Sequence, residues 1–137
     1  NNLKLNIFGN INRFPQKLKS SLQNAVKITS KNKGLQINLA LNYGSKNEII
    51  NALNLLNQKK IPINIKNVEK NLYTKNTPDP DILIRTGNTN RLSNFLLWQI
   101  SYSEIYFVKK LWPDFNKKDF YKILKNYENV KRNFGSI

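Results

Sequence analysis

Two arginines lie six residues apart in a polar segment that follows an apolar run of the sequence. Arg85 comes directly after the apolar residues 82–84, and Arg91 precedes Leu92 and Ser93. The whole chain has four arginines against nineteen lysines. A guanidinium can hold two phosphate oxygens through its planar set of donors, whereas a lysine ammonium is a single point of charge. The pair therefore predicts a phosphate site, and the alternative is a solvated loop with two surface arginines.

The elements around this segment would place it at the edge of a parallel sheet. A continuous apolar run such as 82–84 is typical of a strand covered on both faces, and ligands of parallel sheets bind beyond the carboxyl ends of the strands. Ser93 or Asn94 can cap an apolar helix over about 95–102. The free N–H groups and the dipole at a helix start favour an anion. We therefore expect the anion between a strand end and a helix start.

Strand patterns alternate with helix patterns along the rest of the chain. Alternating apolar and polar residues predict strands near 3–7 and 35–41, and a short apolar run predicts another at 105–108. Helical spacing predicts helices over about 15–30, from Ser45 through Leu56, near 68–72 and over 117–132. Strands separated by helices of this length imply an α/β fold with a mainly parallel sheet flanked by helices.

The composition limits which metals the chain can bind, and it suggests nucleic acid as an alternative class of partner. The chain has no cysteine and no histidine, so any metal must be held by oxygen, which favours Mg²⁺ over zinc. The formal net charge of +15 is a common feature of nucleic-acid-binding domains. The lysines are dispersed along the chain, however, so we expect no nucleic-acid partner and only a weak attraction to anionic membranes or substrates.

The ends and the hydropathy of the sequence give two further expectations. The chain contains no methionine and begins with Asn1, which is most simply explained if it is a C-terminal portion of a longer protein. A split subunit whose other half is a separate chain is the alternative. No apolar run approaches the roughly 20 residues that span a bilayer, so we expect a cytoplasmic protein or one that is peripheral to a membrane.

Several motifs resemble, in order and spacing, those of the cis-prenyltransferases, the undecaprenyl diphosphate synthase family. They are Asp-Pro-Asp-Ile-Leu-Ile-Arg-Thr-Gly at 79–87, Arg-Leu-Ser-Asn-Phe-Leu-Leu-Trp-Gln at 91–99, Tyr-Ser-Glu-Ile-Tyr-Phe at 102–107 and Leu-Trp-Pro-Asp-Phe at 111–115. Weaker likenesses lie upstream, at 38–44 and 7–10. The resemblance covers nearly the whole chain, which would then be a single partial domain over 1–137 that lacks the N-terminal part of the family fold.

The resemblance implies a reaction and its partners. The family condenses isopentenyl diphosphate with an allylic diphosphate to give a cis-polyprenyl diphosphate, in bacteria the undecaprenyl lipid carrier of cell-wall synthesis. By resemblance, Arg85, Arg91, the Leu92 backbone N–H and the Ser93 hydroxyl bind the diphosphate of isopentenyl diphosphate, and Glu104 helps to hold Mg²⁺ beside it. An internal ion pair of Glu104 with either arginine is the alternative. The resemblance also implies a homodimer.

Departures from the family pattern define what this chain would lack. The family's aspartate-bearing Met-Asp-Gly-Asn-Gly-Arg segment is absent, so we expect no catalytic residue in this chain. Asn88-Thr89 stands where the family has Gly-Glu, Ser45-Lys46 where it has Gly-Arg, and Asn133-Phe134-Gly135 where it has Arg-x-Gly, with Arg132 one position off. For Asn42 and Lys46, near the family's substrate-side groups, a structural turn is the favoured interpretation.

Three hypotheses follow for function. In the first, the chain supplies the isopentenyl diphosphate side of a prenyltransferase site, binds that substrate weakly by itself and turns nothing over. In the second, it is a non-catalytic accessory subunit of a heteromeric cis-prenyltransferase, for which Asn88, Thr89 and Asn133 argue, whereas the retention of Arg85, Arg91, Ser93 and Glu104 argues against it. The third and least favoured is a basic nucleic-acid-binding domain.

Overall fold

The computed structural model describes residues 2–131, in which strands and helices alternate along the chain. In chain order they are β1 (Lys4–Phe8), α1 (Gln16–Thr29), β2 (Gln36–Ala40), α2 (Ser45–Gln58), α3 (Ile65–Glu69), β3 (Ile82–Arg85), β4 (Glu104–Phe107) and α4 (Lys117–Glu128). Short 3-10 turns lie at Ile11–Arg13 and Trp112–Asp114. The internal contacts divide the chain into two compact units, with the division between Thr77 and Pro78. The single partial domain expected over 1–137 stays a prediction.

The first unit is built on a parallel pair of strands joined by a helical crossover. β1 and β2 run parallel, with Lys4 opposite Gln36 and Phe8 opposite Ala40. α1 connects the two strands and packs against β1. The Thr29 hydroxyl, in the last turn of α1, accepts a hydrogen bond of 3.1 Å from the Leu5 backbone N–H and so fastens the helix end to the strand. Both strands therefore end at the same edge of the unit.

The core of the first unit lies along one stripe of α2. Four positions of this helix are buried at spacings of three or four residues, namely Ser45, Glu48, Ala52 and Leu56. α3 packs against α2, and Val68 and Leu72 are buried there. Leu56 is wholly inaccessible to solvent, and full burial of one such side chain contributes about 1.5–3 kcal/mol. The stripe places a carboxylate, Glu48, inside an otherwise apolar or small-residue surface.

The second unit repeats the parallel arrangement with β3 and β4. Ile82 lies opposite Glu104 and Arg85 opposite Phe107. α4 begins at a capping box in which the Asn116 side chain accepts from the start of the helix, and the Asp119 carboxylate accepts from the Asn116 backbone N–H at 3.0 Å. Ile123 is the buried position of α4. Within residues 2–131 no helix combines the length and the apolar character needed to span a membrane.

The predicted α/β class with parallel strands is confirmed, because both strand pairs of the described part are parallel. The helices expected over 15–30 and from Ser45 are present within one or two residues of the expected bounds, and the short helix near 68–72 lies three residues earlier. The closing helix ends at Glu128, and residues 132–137 lie outside the described part. Strand β3 was expected to be covered on both faces, but all four of its residues are half-buried.

The prediction of a capped helix over 95–102 is wrong. Residues 93–102 form consecutive turns and bends, and Ser93, Asn94 and Leu96 all have left-handed backbones, with φ of 49°, 61° and 45°. An α-helix requires φ near −63° at every residue, so these three residues interrupt it. The expected burial holds for Gln99 and Ile100 only, because Phe95 is 37% and Tyr102 62% exposed.

Candidate functional site

The loop after β3 begins at the strand end and is held against the segment after β4. Arg85 is the last residue of β3, and its backbone carbonyl accepts from the Val108 N–H at 2.7 Å. The Gly87 and Asn88 N–H groups donate to the Lys110 and Val108 carbonyls at 2.8 and 3.2 Å. The loop that follows Arg85 is therefore fixed by backbone hydrogen bonds, and it starts from the carboxyl end of a parallel strand, as expected.

The side chain of Arg85 is held in place by Thr89. Its Nε donates to Thr89 Oγ1 at 3.0 Å, and the arginine is half-buried. This bond uses only Nε. The two terminal NH₂ groups of the guanidinium take no part in it, and they are the donors best placed for bidentate contact with an oxyanion. Thr89 occupies one of the positions at which this chain differs from the family pattern. Its hydroxyl orients Arg85 without adding a negative charge.

The other departure in this loop, Asn88, has a conformational explanation. Asn88 has a φ of 54°, in the left-handed region that glycine adopts at no steric cost. Asparagine is among the few other residues that enter this region readily. The preceding Gly87 also has a positive φ, of 95°. Asparagine is therefore compatible with this left-handed position, at which the family has glycine.

Arg91, Leu92 and Ser93 lie further along the same loop but not at a helix start. Arg91 and Ser93 are exposed and Leu92 is half-buried. Because Ser93 is left-handed and no helix follows it, the structure lacks the array of free N–H groups that was expected to receive an anion here. Arg85 and Arg91 lie on one short loop. The roles of Arg91, Leu92 and Ser93 in substrate binding stay predictions.

Glu104 lies away from Arg85 on the strand pair. It is opposite Ile82, three residues before Arg85 in the register, which separates the two backbone positions by about 10 Å along the strands. Because side chains alternate between the faces of a strand, Glu104 and Arg85 also point to opposite faces. Within residues 2–131 Glu104 forms no ion pair, so the alternative of an internal pair with Arg85 or Arg91 is not observed there.

A magnesium site is not completed by the described side chains. No group of three or more acidic, histidine or cysteine side chains able to hold a metal occurs in residues 2–131. Glu104 is a half-buried carboxylate and can supply one hard oxygen ligand, and Mg²⁺ in phosphate enzymes is often held by one or two carboxylates together with substrate oxygens. The residues present fit one ligand of such a site, not the whole of it, so Glu104 as a metal ligand stays a prediction.

A polar cleft of about 360 Å³ lies in the first unit, at residues that the sequence reasoning did not select as a site. Its walls come from the segments after β1 and β2, from the first turns of α2 and from Tyr73: Gly9, Asn10, Arg13, Asn42, Gly44, Asn47, Glu48, Ile50, Asn51 and Tyr73. The cleft thus lies beyond the carboxyl ends of two parallel strands, which is the usual position for a ligand in such a sheet.

Glu48 lines this cleft and is 2% exposed. Its Oε2 accepts from the Tyr43 hydroxyl at 2.5 Å, and its Oε1 accepts from the Tyr73 backbone N–H at 2.6 Å. The two tyrosine rings meet edge to face at 6.3 Å. A buried carboxylate needs such donors to offset the loss of water. The sequence carries no sign of this role, because a glutamate in the first turn of a helix is ordinarily a solvated residue that complements the helix dipole.

Asn42 has the structural role that was favoured for it. Its backbone is left-handed, with φ of 47°, and its Nδ2 donates to the Asn10 carbonyl at 2.9 Å. The Asn10 N–H returns a bond of 3.3 Å to the Asn42 carbonyl. These bonds join the turns that follow β1 and β2, and Asn42 also lines the cleft. Lys46 is exposed and is not part of the cleft wall.

Comparison with known proteins gives a consistent assignment. Residues 1–135 match the family model described as undecaprenyl diphosphate synthase. The chain is 42% identical to an isoprenyl transferase of Clostridium tetani, covering 100% of this chain and 56% of that protein. It is also 42% identical to the ditrans,polycis-undecaprenyl-diphosphate synthase ((2E,6E)-farnesyl-diphosphate specific) of Pasteurella multocida, covering 98% of this chain and 59% of that protein.

Solved structures give the same result for the fold. The crystal structure of a protein described as a probable undecaprenyl diphosphate synthase, from Campylobacter jejuni, matches with a TM-score of 0.88 at 38% identity, over 98% of this chain and 64% of that one. Lavandulyl diphosphate synthase from Lavandula x intermedia, in complex with dimethylallyl diphosphate, matches with a TM-score of 0.90 at 34% identity, over 98% and 61%. The parallel strand pairs and their helices therefore define a cis-prenyltransferase fold.

The chain belongs to the undecaprenyl diphosphate synthase family. It spans less than two thirds of the length of each of these relatives.

Proposed function

We propose that this chain functions in cis-prenyl transfer and supplies the side of the site that binds isopentenyl diphosphate. The observation that carries the proposal is the family match over residues 1–135, within which the two-arginine loop follows strand β3. The complete reaction joins isopentenyl diphosphate to an allylic diphosphate, forms one carbon–carbon bond, and releases diphosphate and a proton. Repetition gives a cis-polyprenyl diphosphate of the undecaprenyl type.

The chemistry of the loop suits this role. A diphosphate carries several negative charges, and a guanidinium with two free NH₂ groups contacts its oxygens in pairs. Arg85 is held by Thr89 before any ligand arrives, so less freedom is lost on binding than for an unrestrained side chain. Arg91 then adds a second positive charge six residues along the same loop. The Leu92 N–H and the Ser93 hydroxyl are the further donors of the proposed site.

Mg²⁺, the allylic partner and the assembly belong to the same proposal. When bound, Mg²⁺ would neutralise charge on the diphosphate groups, and Glu104 is the residue of this chain that we assign to it. We also propose that the complete enzyme is a homodimer that contacts the membrane peripherally, because its product is a lipid. The N-terminal aspartate segment of the family is absent from this sequence, so no catalytic residue is assigned to the chain.

Calorimetric titration with isopentenyl diphosphate tests the proposed binding role. We expect weak binding by the 137-residue chain, a loss of about tenfold or more in Arg85→Ala, and a smaller loss in Arg85→Lys, because lysine keeps the charge without the planar fork. Lys125→Ala is the control, since it removes one exposed positive charge from α4. Equal binding by the three variants and the unmodified chain, or no binding by the unmodified chain, would overturn the proposal.

A non-catalytic accessory role is the second candidate, and the replacement of the family's glutamate by Thr89 favours it. Thr89 occupies the place of the family's glutamate and takes up Arg85 Nε with a neutral hydroxyl. The two candidates differ in turnover. An accessory subunit would raise polyprenyl synthesis by a catalytic cis-prenyltransferase chain to the same extent with Arg85→Ala as with the unmodified sequence. A dependence of the stimulation on Arg85 favours the substrate-binding role.

A further inference from the structure

Thr89 lies beside Arg85 because the loop after β3 turns back on itself. Val108 forms backbone hydrogen bonds with both ends of this turn, since its N–H donates to the Arg85 carbonyl at 2.7 Å and its carbonyl accepts from the Asn88 N–H at 3.2 Å. Thr89 comes directly after Asn88 and is half-buried. Its Oγ1 lies 3.0 Å from Arg85 Nε. The position of the Thr89 hydroxyl is therefore set by backbone bonds of the loop.

The contact with Thr89 decides which edge of the Arg85 guanidinium can receive an anion. A guanidinium binds an oxyanion in a bidentate way either through Nε and one NH₂ group or through its two NH₂ groups. Because Nε already donates to Thr89, the two NH₂ groups are the edge that remains. Within residues 2–131 Arg85 forms no ion pair, so no carboxylate of this part of the chain neutralises its charge.

The Thr89 hydroxyl also has a proton of its own to donate. A hydroxyl can accept through its lone pairs and donate its O–H at the same time. In the contact with Arg85 it accepts, because Nε is only a donor, and its proton has no acceptor among residues 2–131. An oxyanion beside the guanidinium is a suitable acceptor for that proton. A glutamate at position 89 would also accept from Nε, but an ionised carboxylate has no proton to donate.

The charge of the loop depends on the residue at this position. Residues 82–103 contain two arginines and neither aspartate nor glutamate. A glutamate at position 89 would pair with Arg85 and place a negative charge next to a bound anion. Because electrostatic repulsion grows with the charge of the ligand, this change would weaken the binding of a diphosphate more than that of a monophosphate. The threonine leaves both arginine charges available to the anion.

We propose that Thr89 is a further ligand of the diphosphate and that it sets the charge selectivity of the loop. Its hydroxyl accepts from Arg85 Nε and donates to a phosphate oxygen, so it joins the arginine to the anion. Because it is neutral, it favours a diphosphate over a monophosphate more strongly than a glutamate would. The inference rests on the proposed function, since isopentenyl diphosphate is the ligand proposed for the same loop.

Three variants at position 89 separate the hydroxyl from the charge in calorimetric titrations. Thr89→Ser keeps the hydroxyl, so we expect its affinity for isopentenyl diphosphate to stay within about twofold of the unmodified chain. Thr89→Val keeps the shape without the hydroxyl and should bind about fivefold more weakly. Thr89→Glu should bind about tenfold or more weakly, with a smaller loss for isopentenyl monophosphate. Thr86→Val is the matched control, because the Thr86 hydroxyl is half-buried in the same loop and has no hydrogen-bond partner in residues 2–131.

The outcomes separate this inference from the proposed function. If Arg85→Ala weakens binding but Thr89→Val and Thr89→Glu bind like the unmodified chain, the role of Thr89 is wrong and the binding role of the loop stands. Equal losses in Thr89→Ser and Thr89→Val would also overturn the inference, because the hydroxyl would then have no part in binding. If the unmodified chain does not bind isopentenyl diphosphate, both proposals fall. Amide spectra outside residues 85–92 verify that each variant keeps its fold.

Discussion

Gly9 and Gly87 have nearly the same backbone conformation in very different surroundings. Their φ angles are 104° and 95°, values that only glycine adopts without strain. A Cβ on Gly9 would come within 2.2 Å of the Leu41 carbonyl oxygen, whereas a Cβ on Gly87 would meet nothing within 4 Å. The two positions therefore separate the cost of a left-handed backbone from the cost of a collision.

We predict that Gly9→Ala lowers the free energy of unfolding by about 3 kcal/mol or more, and that Gly87→Ala lowers it by about 1 kcal/mol. The alanine at position 9 must push apart the turns that follow β1 and β2, which Asn42 and Asn10 hold together. Urea denaturation of both variants gives the measurement. Equal losses of stability in the two variants would show that the collision with the Leu41 carbonyl adds nothing to the cost of the left-handed backbone.

The chemical type of the site residues could be read from the sequence, but the groups that surround them in the fold could not. Arg85 was placed correctly at a strand end, because a continuous apolar run marks the strand. Glu48 was not selected, because a glutamate in the first turn of a helix is ordinarily exposed and the sequence does not show that Tyr43 and the Tyr73 N–H supply its donors. The distance of Glu104 from Arg85 along the strands depends on the register of β3 against β4, and the sequences of two strands do not specify their register.

Helix α4 shows an element whose limits and stabilisation follow from local sequence. Asn116 and Asp119 form a capping box, and Lys110 donates to both Asp119 carboxylate oxygens at 2.8 Å. The hydrogen bond from Lys110, followed by that from the Asn116 N–H, lowers the pKa of Asp119 below its ordinary value of 3.8. A carboxyl whose pKa is lower in the folded state stabilises that state while it is ionised.

The sign of the pH dependence follows from this shift. The contribution of Asp119 is complete above the pKa of the unfolded chain and is lost as the pH falls through the lower folded value, so the window lies below about pH 4. We predict that Asp119→Asn lowers the melting temperature at pH 7 and that the difference from the unmodified protein narrows as the pH falls below 4. Thermal melts at several pH values provide the test.

Asp114→Asn serves as the control for this experiment, because it removes the same charge from the preceding turn and leaves the capping box intact. A difference between Asp119→Asn and the unmodified protein that stays constant from pH 7 to pH 2 would contradict the assigned cause.

The elements that the sequence predicted well are those whose signals are local. α1, α2 and α4 have apolar stripes, and α4 also has a cap, so their limits agree with the expectation to within a few residues. Residues 95–102 have comparable helical character, yet the left-handed residues before and within them interrupt the helix. Helix propensity describes a conformation that a segment can adopt, and tertiary context can override it, as it does in residues 95–102.

On the scale of the whole molecule, the family and the chain's partial coverage of it were both readable from the motifs, since those at 79–115 occur in order and the family's N-terminal segment does not occur. The α/β class follows from alternating strand and helix patterns, and the parallel pairing follows from the helical crossover between β1 and β2. The division at Thr77 and Pro78 carries no compositional signal beyond the prolines at 78 and 80.

The net charge of +15 attracts diphosphate even without a specific site, and the salt dependence of binding distinguishes this attraction from recognition by the loop after β3. Exposed lysines that do not contact an anion attract it through their summed electrostatic field. Salt screens this field over about 10 Å at 0.1 M but only over about 30 Å at 0.01 M. We predict that neutralising Lys17, Lys27 and Lys31 together to glutamine changes the affinity for isopentenyl diphosphate less than about twofold at 0.15 M salt. The same triple variant should weaken the affinity measurably at 0.01 M.

Arg85→Ala should behave differently, because its loss concerns direct contacts that salt screens only in part. We expect its affinity to stay about tenfold or more below that of the unmodified protein at both salt concentrations. Calorimetric titrations of the two variants at 0.01 and 0.15 M salt give the comparison. If the triple lysine variant lost as much affinity as Arg85→Ala at 0.15 M, the diphosphate would be bound by the overall charge of the molecule, and the loop after β3 would have no special part in its recognition.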